Sequence, residues 1–89
     1  MRHPGPFGFL LEGWQRRSVW GWDEGTGSWW AALWRDDLPD DPVADAPHVG
    51  FGPLYGQHIA TVSGLVPLIA AATQVEPDRI DQLLAESMS

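Results

Sequence analysis

The chain has 89 residues, of which 44% are hydrophobic and 19% are charged, and its formal net charge at pH 7 is −7; this composition predicts one folded domain over residues 1–89 and excludes a disordered chain. It contains no cysteine and no lysine, which excludes disulfides, thiolate chemistry and Schiff-base catalysis. No segment has the apolar length of a signal peptide or a membrane span, so we expect a soluble, cytoplasmic protein that does not act at a membrane.

Residues 1–16 predict an irregular N-terminal arm or a short strand that lies on the sheet. Prolines and glycines at the start of this segment break regular structure, and an apolar cluster follows them. Five of the six tryptophans then lie within residues 17–35, on both sides of the turn-forming run 24–27. Residues 17–35 therefore predict an aromatic β-hairpin.

The register of this hairpin is the same whether the loop has two residues or four, and it places Trp22 opposite Trp29. A turn centred one residue further on would shift the pairing by two residues but leave the faces unchanged. One face then shows Trp20, Trp22, Trp29, Ala31 and Leu33, and the other shows Val19, Gly21, Trp30, Ala32 and Trp34. The same register brings Arg17 within reach of a cation–π contact with Trp34.

The C-terminal half predicts a helical pair behind an acidic loop. Its segments are an irregular loop rich in proline and aspartate at 36–47, a short third strand at 48–52, and a helical pair at 63–87 made of helices at 63–74 and 77–87. Ser63 is the predicted cap of the first helix, and Pro77 is the predicted first residue of the second. We therefore predict an α+β fold in which a two- or three-stranded antiparallel sheet is covered on one face by two helices.

The sequence motifs V-x-G-W-D at 19–23 and G-S-W-W-A at 27–31, followed by Thr61-Val62 before an apolar helix, resemble those of a group of small uncharacterised bacterial proteins. That group has a V-x-G-[WY]-D strand, a G-x-[FWY]-[FWY]-A return strand and a helical tail. The resemblance covers residues 17–86, and this chain departs from it in the acidic loop and in the glycine-broken third strand. The resemblance implies the hairpin-and-helix fold and no particular activity.

No motif in the chain identifies a reaction. Residues 69–84 have the spacing of a helix-turn-helix, but the second helix carries three carboxylates against the single cation Arg79, so nucleic acid is disfavoured as a partner. The aspartates of the loop at 36–47 lack the central glycine and the bidentate glutamate of a calcium loop. The histidines lack metal-ligand spacing, and no serine lies in a nucleophile elbow. We therefore expect no enzyme activity, no metal and no cofactor.

The tryptophans exceed what two short helices can cover, which leaves two interpretations of the second sheet face. Either residues 7–14 fold over it and complete a three-layer core, or it stays open as an interaction surface. The charge favours a protein partner, because residues 36–89 carry nine carboxylates against one arginine. A field of this sign attracts basic protein surfaces.

We predict a small, non-catalytic module that binds a basic protein. Stoichiometric inhibitors of nucleic-acid-handling proteins, such as anti-restriction, anti-CRISPR and anti-sigma proteins, share its size and charge. The alternative is a structural module that forms a homodimer, and a helix-turn-helix DNA-binding protein is less favoured. The predicted partner-binding residues are Trp20, Trp30, Trp34, Asp36, Asp37, Asp40, Asp41, Asp78 and Asp81.

Overall fold

The structure of the protein is a computed structural model, and it describes residues 6–39 and 46–88. The elements in chain order are β1 (Phe7–Gly8), β2 (Val19–Asp23), β3 (Ser28–Leu33), β4 (Val49–Phe51), a 3₁₀ turn (Pro53–Tyr55), α1 (Val62–Thr73) and α2 (Pro77–Met88). The strands form one antiparallel sheet in the order β1-β2-β3-β4. The α+β prediction is confirmed, but the sheet formed by the described residues has four strands rather than two or three.

The hairpin formed by β2 and β3 has the predicted register. Its loop has four residues, because the Gly27 N–H donates a hydrogen bond to the Asp23 carbonyl at 2.9 Å. The Asp23 carboxylate stabilises the loop further by accepting hydrogen bonds from the Gly25 N–H at 3.1 Å and from the Thr26 hydroxyl at 2.9 Å. An aspartate that bonds the backbone two residues on is a common way to fix such a turn.

The N-terminal segment joins the sheet as β1, with Phe7 paired to Trp20 and Gly8 paired to Val19. The interpretation that residues 7–14 fold over the second sheet face is wrong. Four large apolar side chains of this segment pack into the core on the helix side, so they add to the first layer and do not cover the second face. These side chains are Phe7, Phe9, Leu11 and Trp14.

The helices cover one face of the sheet, as predicted, and it is the face that carries Trp20. α1 packs on β3 and β4, and α2 packs on β1. The large core side chains that are fully buried are Phe9, Trp20, Leu33, Leu65, Ile69, Ile80 and Leu84. Each apolar side chain of this size contributes about 1.5–3 kcal/mol when it is fully buried. The layer between sheet and helices is therefore the core of the fold.

α1 begins one residue earlier than predicted, and Thr61 rather than Ser63 caps it. The Thr61 side chain accepts a hydrogen bond from the Gly64 N–H at 3.1 Å, since an N-cap oxygen reaches the third helical residue. Pro67 consequently lies in the second turn, where it removes the bond that the Ser63 carbonyl would accept. α2 begins at Pro77 as predicted. Among the described residues, no helix is long and apolar enough to cross a membrane.

Candidate functional site

The sheet face opposite the helices is the candidate functional site, and we call it the outer face. Small residues cross it in one row from β1 to β4, because Gly8, Val19, Ala32 and Gly50 pair in register. The neighbouring row, on the opposite face, carries the large core side chains Phe7, Trp20 and Phe51 with Ala31. The helices pack on that second row, so within residues 6–39 and 46–88 no helix covers the outer face.

Aromatic rings rest on glycines of the outer face. The indole of Trp30 lies against Gly21, where an added methyl group would meet it at 3.2 Å. The phenol ring of Tyr55 lies over Gly50 and leaves no room for a methyl group there. Gly52 has a φ of 120°, and a methyl group on it would lie 2.8 Å from the Trp30 Cβ. Glycine at these positions is what allows both rings to lie close to the sheet.

An open groove of about 660 Å³ lies beside Trp30. Its apolar lining includes Ala32, Pro47, Pro53, Leu54 and Tyr55, and its hairpin end is lined by Asp23 and Thr26. Leu54 is 94% exposed and Tyr55 is 48% exposed. Because clustered apolar side chains on a folded domain rarely lack a partner, this groove is the part of the outer face best suited to docking.

Trp34 follows β3 and lies under Arg17. The Arg17 Cζ is 4.1 Å from the centroid of the Trp34 ring, which confirms the predicted cation–π contact. The Trp34 backbone N–H donates to the Ser18 hydroxyl at 3.0 Å, and the side chain is 9% exposed. The indole N–H of Trp34 has no hydrogen-bond partner in the described part of the chain. Trp34 therefore offers little surface to a partner.

The fold separates the tryptophans that the sequence predicted as partner contacts. Trp30 is half-buried and lines the groove. Trp20 is fully buried in the core, where its indole N–H donates to the Ser87 hydroxyl at 2.9 Å. The two side chains lie on opposite faces of the sheet, so helices that cover one face must bury one of them. Trp20 does not reach the surface, and we do not retain it as a contact.

The first pair of predicted acidic contacts lies beside the C-terminal end of α1. Asp36 and Asp37 are exposed and line a cavity of about 320 Å³ together with Gln74. The Arg35 guanidinium donates two hydrogen bonds to the Asp37 carboxylate, at 2.9 and 2.8 Å. This hydrogen bonding lowers the pKa of Asp37 below its ordinary value, because it favours the ionised form. The contribution of the Arg35–Asp37 pair to the stability of the fold is therefore present near neutral pH, and it is lost as the pH falls through the lowered pKa of Asp37.

The remaining acidic contacts also lie away from the groove or outside the described residues. Asp78 and Asp81 are exposed on α2, on the helix side of the sheet. Asp40 and Asp41 lie outside the described residues. Among the described residues that line the groove, Asp23 is the single charged one. The structure thus brings together an aromatic groove and one carboxylate that the sequence reasoning had not selected.

Part of the groove comes from a turn that the sequence reasoning missed. Pro53, Leu54 and Tyr55 form a 3₁₀ turn between Gly52 and Gly56, and both of these glycines have positive φ, 120° and 74°. The turn swings Tyr55 back over β4 and leaves Leu54 in solvent. The sequence signal for it is an apolar run framed by glycines and lacking helical or strand periodicity.

The fold and the outer face together define a small α+β domain with an open aromatic sheet face. Among the described residues, no group of three or more histidine, aspartate or glutamate side chains is placed to hold a metal ion. The chain matches no protein-family model, no curated protein and no solved structure. The geometry and the charge of the surface therefore carry the functional proposal.

Proposed function

We propose that the protein is a non-catalytic module that binds another protein through its outer face, and that its partner is basic. The observation that carries this proposal is the groove beside Trp30, in which Leu54 is 94% exposed and Tyr55 is 48% exposed. Soluble proteins rarely leave such side chains clustered without a partner. Tryptophan and tyrosine are also enriched at the energetic centres of protein interfaces.

Docking on the groove removes apolar surface from water. Fully covering a leucine side chain contributes about 1.5–3 kcal/mol, and Leu54 is almost completely uncovered in the free protein. Gly21 and Gly52 have no side chain that would keep Trp30 away from the sheet, and the Trp30 ring packs against Gly21. A ring that is already ordered loses less entropy on binding, so Trp30 and Leu54 form the anchor of the proposed interface.

The negative charge of the protein favours a basic partner. A net charge of −7 attracts cationic surfaces and raises the rate of association. Asp36, Asp78 and Asp81 are exposed but lie away from the groove. They contribute by long-range attraction rather than by contact with a ligand in the groove. At physiological ionic strength, salt screens this attraction between charges that are more than about 8 Å apart.

The proposal extends to the kind of partner. Small acidic proteins that bind basic proteins include stoichiometric inhibitors of nucleic-acid-handling proteins, such as anti-restriction, anti-CRISPR and anti-sigma proteins. We place this protein with them by analogy of size and charge. On this proposal the protein competes with nucleic acid for a positively charged surface of its partner.

Affinity capture with matched variants tests this function. The wild-type chain, Leu54→Ser and Leu10→Ser are immobilised, and the proteins captured from extracts of the source cell are quantified by mass spectrometry. Leu54 lies in the groove, whereas Leu10 is 66% exposed beside α2. Both substitutions therefore remove one exposed leucine and leave the net charge unchanged.

We expect a basic protein that the wild type and Leu10→Ser capture and that Leu54→Ser does not. Its purified form should bind more weakly as salt rises, and nucleic acid should compete with the module for it. Equal capture by the two variants would contradict docking through the groove. A captured partner without a basic surface, or an affinity that does not depend on salt, would contradict the electrostatic part of the proposal.

A further inference from the structure

The groove contains hydrogen-bond donors that the fold does not use. The indole N–H of Trp30 and the hydroxyl of Tyr55 make no hydrogen bond within the part of the chain that the structure describes. The surface around them is apolar, and Pro47 and Pro53 have no N–H to offer. A ligand that fits this groove must bring acceptors for the donors and apolar groups for the walls.

A polyproline II segment is the backbone form that meets this demand. An α-helix uses its carbonyls internally, and an added β-strand binds at a sheet edge rather than on a sheet face. A polyproline II segment has no internal hydrogen bonds, so its carbonyls remain free to accept. Its prolines carry no N–H that would need an acceptor, and aromatic-lined grooves are the surfaces on which such segments dock.

Building on the proposed function, we propose that the groove binds a proline-rich segment of the basic partner in the polyproline II conformation. Trp30 and Tyr55 pack against its prolines and donate hydrogen bonds to its carbonyls. Asp23, at the hairpin end of the groove, pairs with an arginine or lysine of the same segment. Hydrogen bonds from Gly25 and Thr26 hold the Asp23 carboxylate in place and leave it further accepting capacity.

Titration of the ¹⁵N-labelled full chain with a blocked synthetic peptide tests this proposal. The peptide alternates proline and leucine, ends in two arginines, and has about eight residues, roughly 25 Å in polyproline II. We expect the indole N–H resonance of Trp30 to shift until the groove is saturated. The resonance of Trp20 should not move, because that side chain is buried and bonded to Ser87. An unmoved Trp30 resonance overturns the proposal.

Two control peptides test the conformation and the charge of the ligand. Replacing each proline by alanine removes the preformed conformation, and we expect binding at least about tenfold weaker. Replacing the arginines by glutamates should weaken binding and reverse its salt dependence, because Asp23 and the net charge of −7 then repel the peptide. Equal binding of the alanine peptide, or of the glutamate peptide, overturns the corresponding part of the proposal.

A pair of protein variants tests the donors. Tyr55→Phe keeps the ring and removes the hydroxyl, so we expect roughly a three- to tenfold loss of affinity, the equivalent of one hydrogen bond. Leu10→Ser, which alters an exposed leucine beside α2, should bind the peptide like the wild type. An unchanged affinity in Tyr55→Phe would show that the hydroxyl donates nothing to the ligand and would overturn the assignment of its role.

The peptide titration and the affinity capture separate the two proposals. A partner captured through Leu54, together with a proline-rich peptide that leaves Trp30 unmoved, refutes the proline-rich segment and leaves the binding function in place. If a basic amphipathic helical peptide binds the groove more tightly than the proline-rich peptide, the proposal of a polyproline II ligand is also refuted, and the binding function again remains in place. The absence of both peptide binding and Leu54-dependent capture refutes both proposals.

Discussion

At the scale of single residues, glycines opposite aromatic rings shape the outer face. Gly8 and Gly50 lie in the same row of the sheet, yet an added methyl group has a different effect at each. At Gly8 it would meet nothing within 4 Å, whereas at Gly50 it would overlap the ring of Tyr55. The two positions therefore separate the effect of a methyl group on a strand from the effect of displacing the ring.

Gly50→Ala is expected to move Tyr55 off the sheet and to weaken partner binding. The displaced atoms are the far end of a side chain that is 48% exposed, so the free energy of unfolding should change by less than about 1 kcal/mol. Gly8→Ala should change neither the position of the Tyr55 ring nor partner binding. Nuclear Overhauser contacts between the Tyr55 ring and β4 report the position of the ring, and chemical denaturation measures the free energy of unfolding. A ring that stays over β4 in Gly50→Ala would contradict the geometry of the outer face.

Trp20 is buried, and the N–H of a buried indole needs a hydrogen-bond acceptor. Ser87→Ala removes the acceptor of the 2.9 Å hydrogen bond and is expected to lower the free energy of unfolding by about 1 kcal/mol. In a Trp20→Phe background the same substitution should cost less, since no N–H is left without a partner. A double-mutant cycle in urea measures the difference. Equal costs in both backgrounds would show that the bond does not stabilise the fold.

At the scale of secondary-structure elements, the first turn of α1 distinguishes the predicted cap from the observed one. Thr61→Ala removes the side-chain oxygen that accepts from the Gly64 N–H and should lower the free energy of unfolding by about 1 kcal/mol. Ser63→Ala alters an exposed hydroxyl inside the first turn and should change it by less than about 0.5 kcal/mol. Denaturation midpoints of the two variants measure this difference. A larger loss of stability in Ser63→Ala than in Thr61→Ala would show that Ser63 is the cap.

The elements that the sequence predicted well are those with local signals. The loop residues and the strand alternation of the hairpin set its register, and apolar spacing with Pro77 set α2. β1 has only two residues, one of them Gly8, and so has no periodicity that could reveal it. It pairs with β2, where the ring centroids of Phe7 and Trp20 lie 4.8 Å apart. A contact between residues this far apart in the chain gives no local sequence signal.

The candidate site was predictable only in part, for a related reason. Alternation divides the tryptophans correctly between the two faces, but it does not say which face the helices cover. Trp20 and Trp30 were therefore both predicted as contacts, although covering either face buries one of them. Leu54 and Tyr55 were missed, because their position depends on the turn that folds back over Gly50. The glycine-framed run 52–56 indicates a turn, but no local pattern shows that the turn places Tyr55 over Gly50.

At the scale of the whole molecule, an apolar outer face and a net charge of −7 have opposite effects on self-association. The groove with Leu54 and Tyr55 favours contact with a second copy. Two copies of a strongly acidic protein repel each other, and this repulsion keeps such proteins monomeric. The basic partner of the proposed function would offer the apolar contact together with the opposite charge, so we expect it to compete successfully with a second copy at neutral pH.

This balance predicts how association changes with pH. We expect a monomer at pH 7 across a concentration series in sedimentation velocity, and self-association near the isoelectric point of about 4.5, where the repulsion disappears. Leu54→Ser should remain monomeric at both pH values, whereas Leu10→Ser should behave like the wild type, since neither substitution changes the charge. Circular dichroism at each pH confirms that the compared species are folded. A dimer at pH 7 would mean that charge repulsion does not prevent self-association. Equal association of Leu54→Ser and the wild type near pH 4.5 would mean that the groove is not the contact surface.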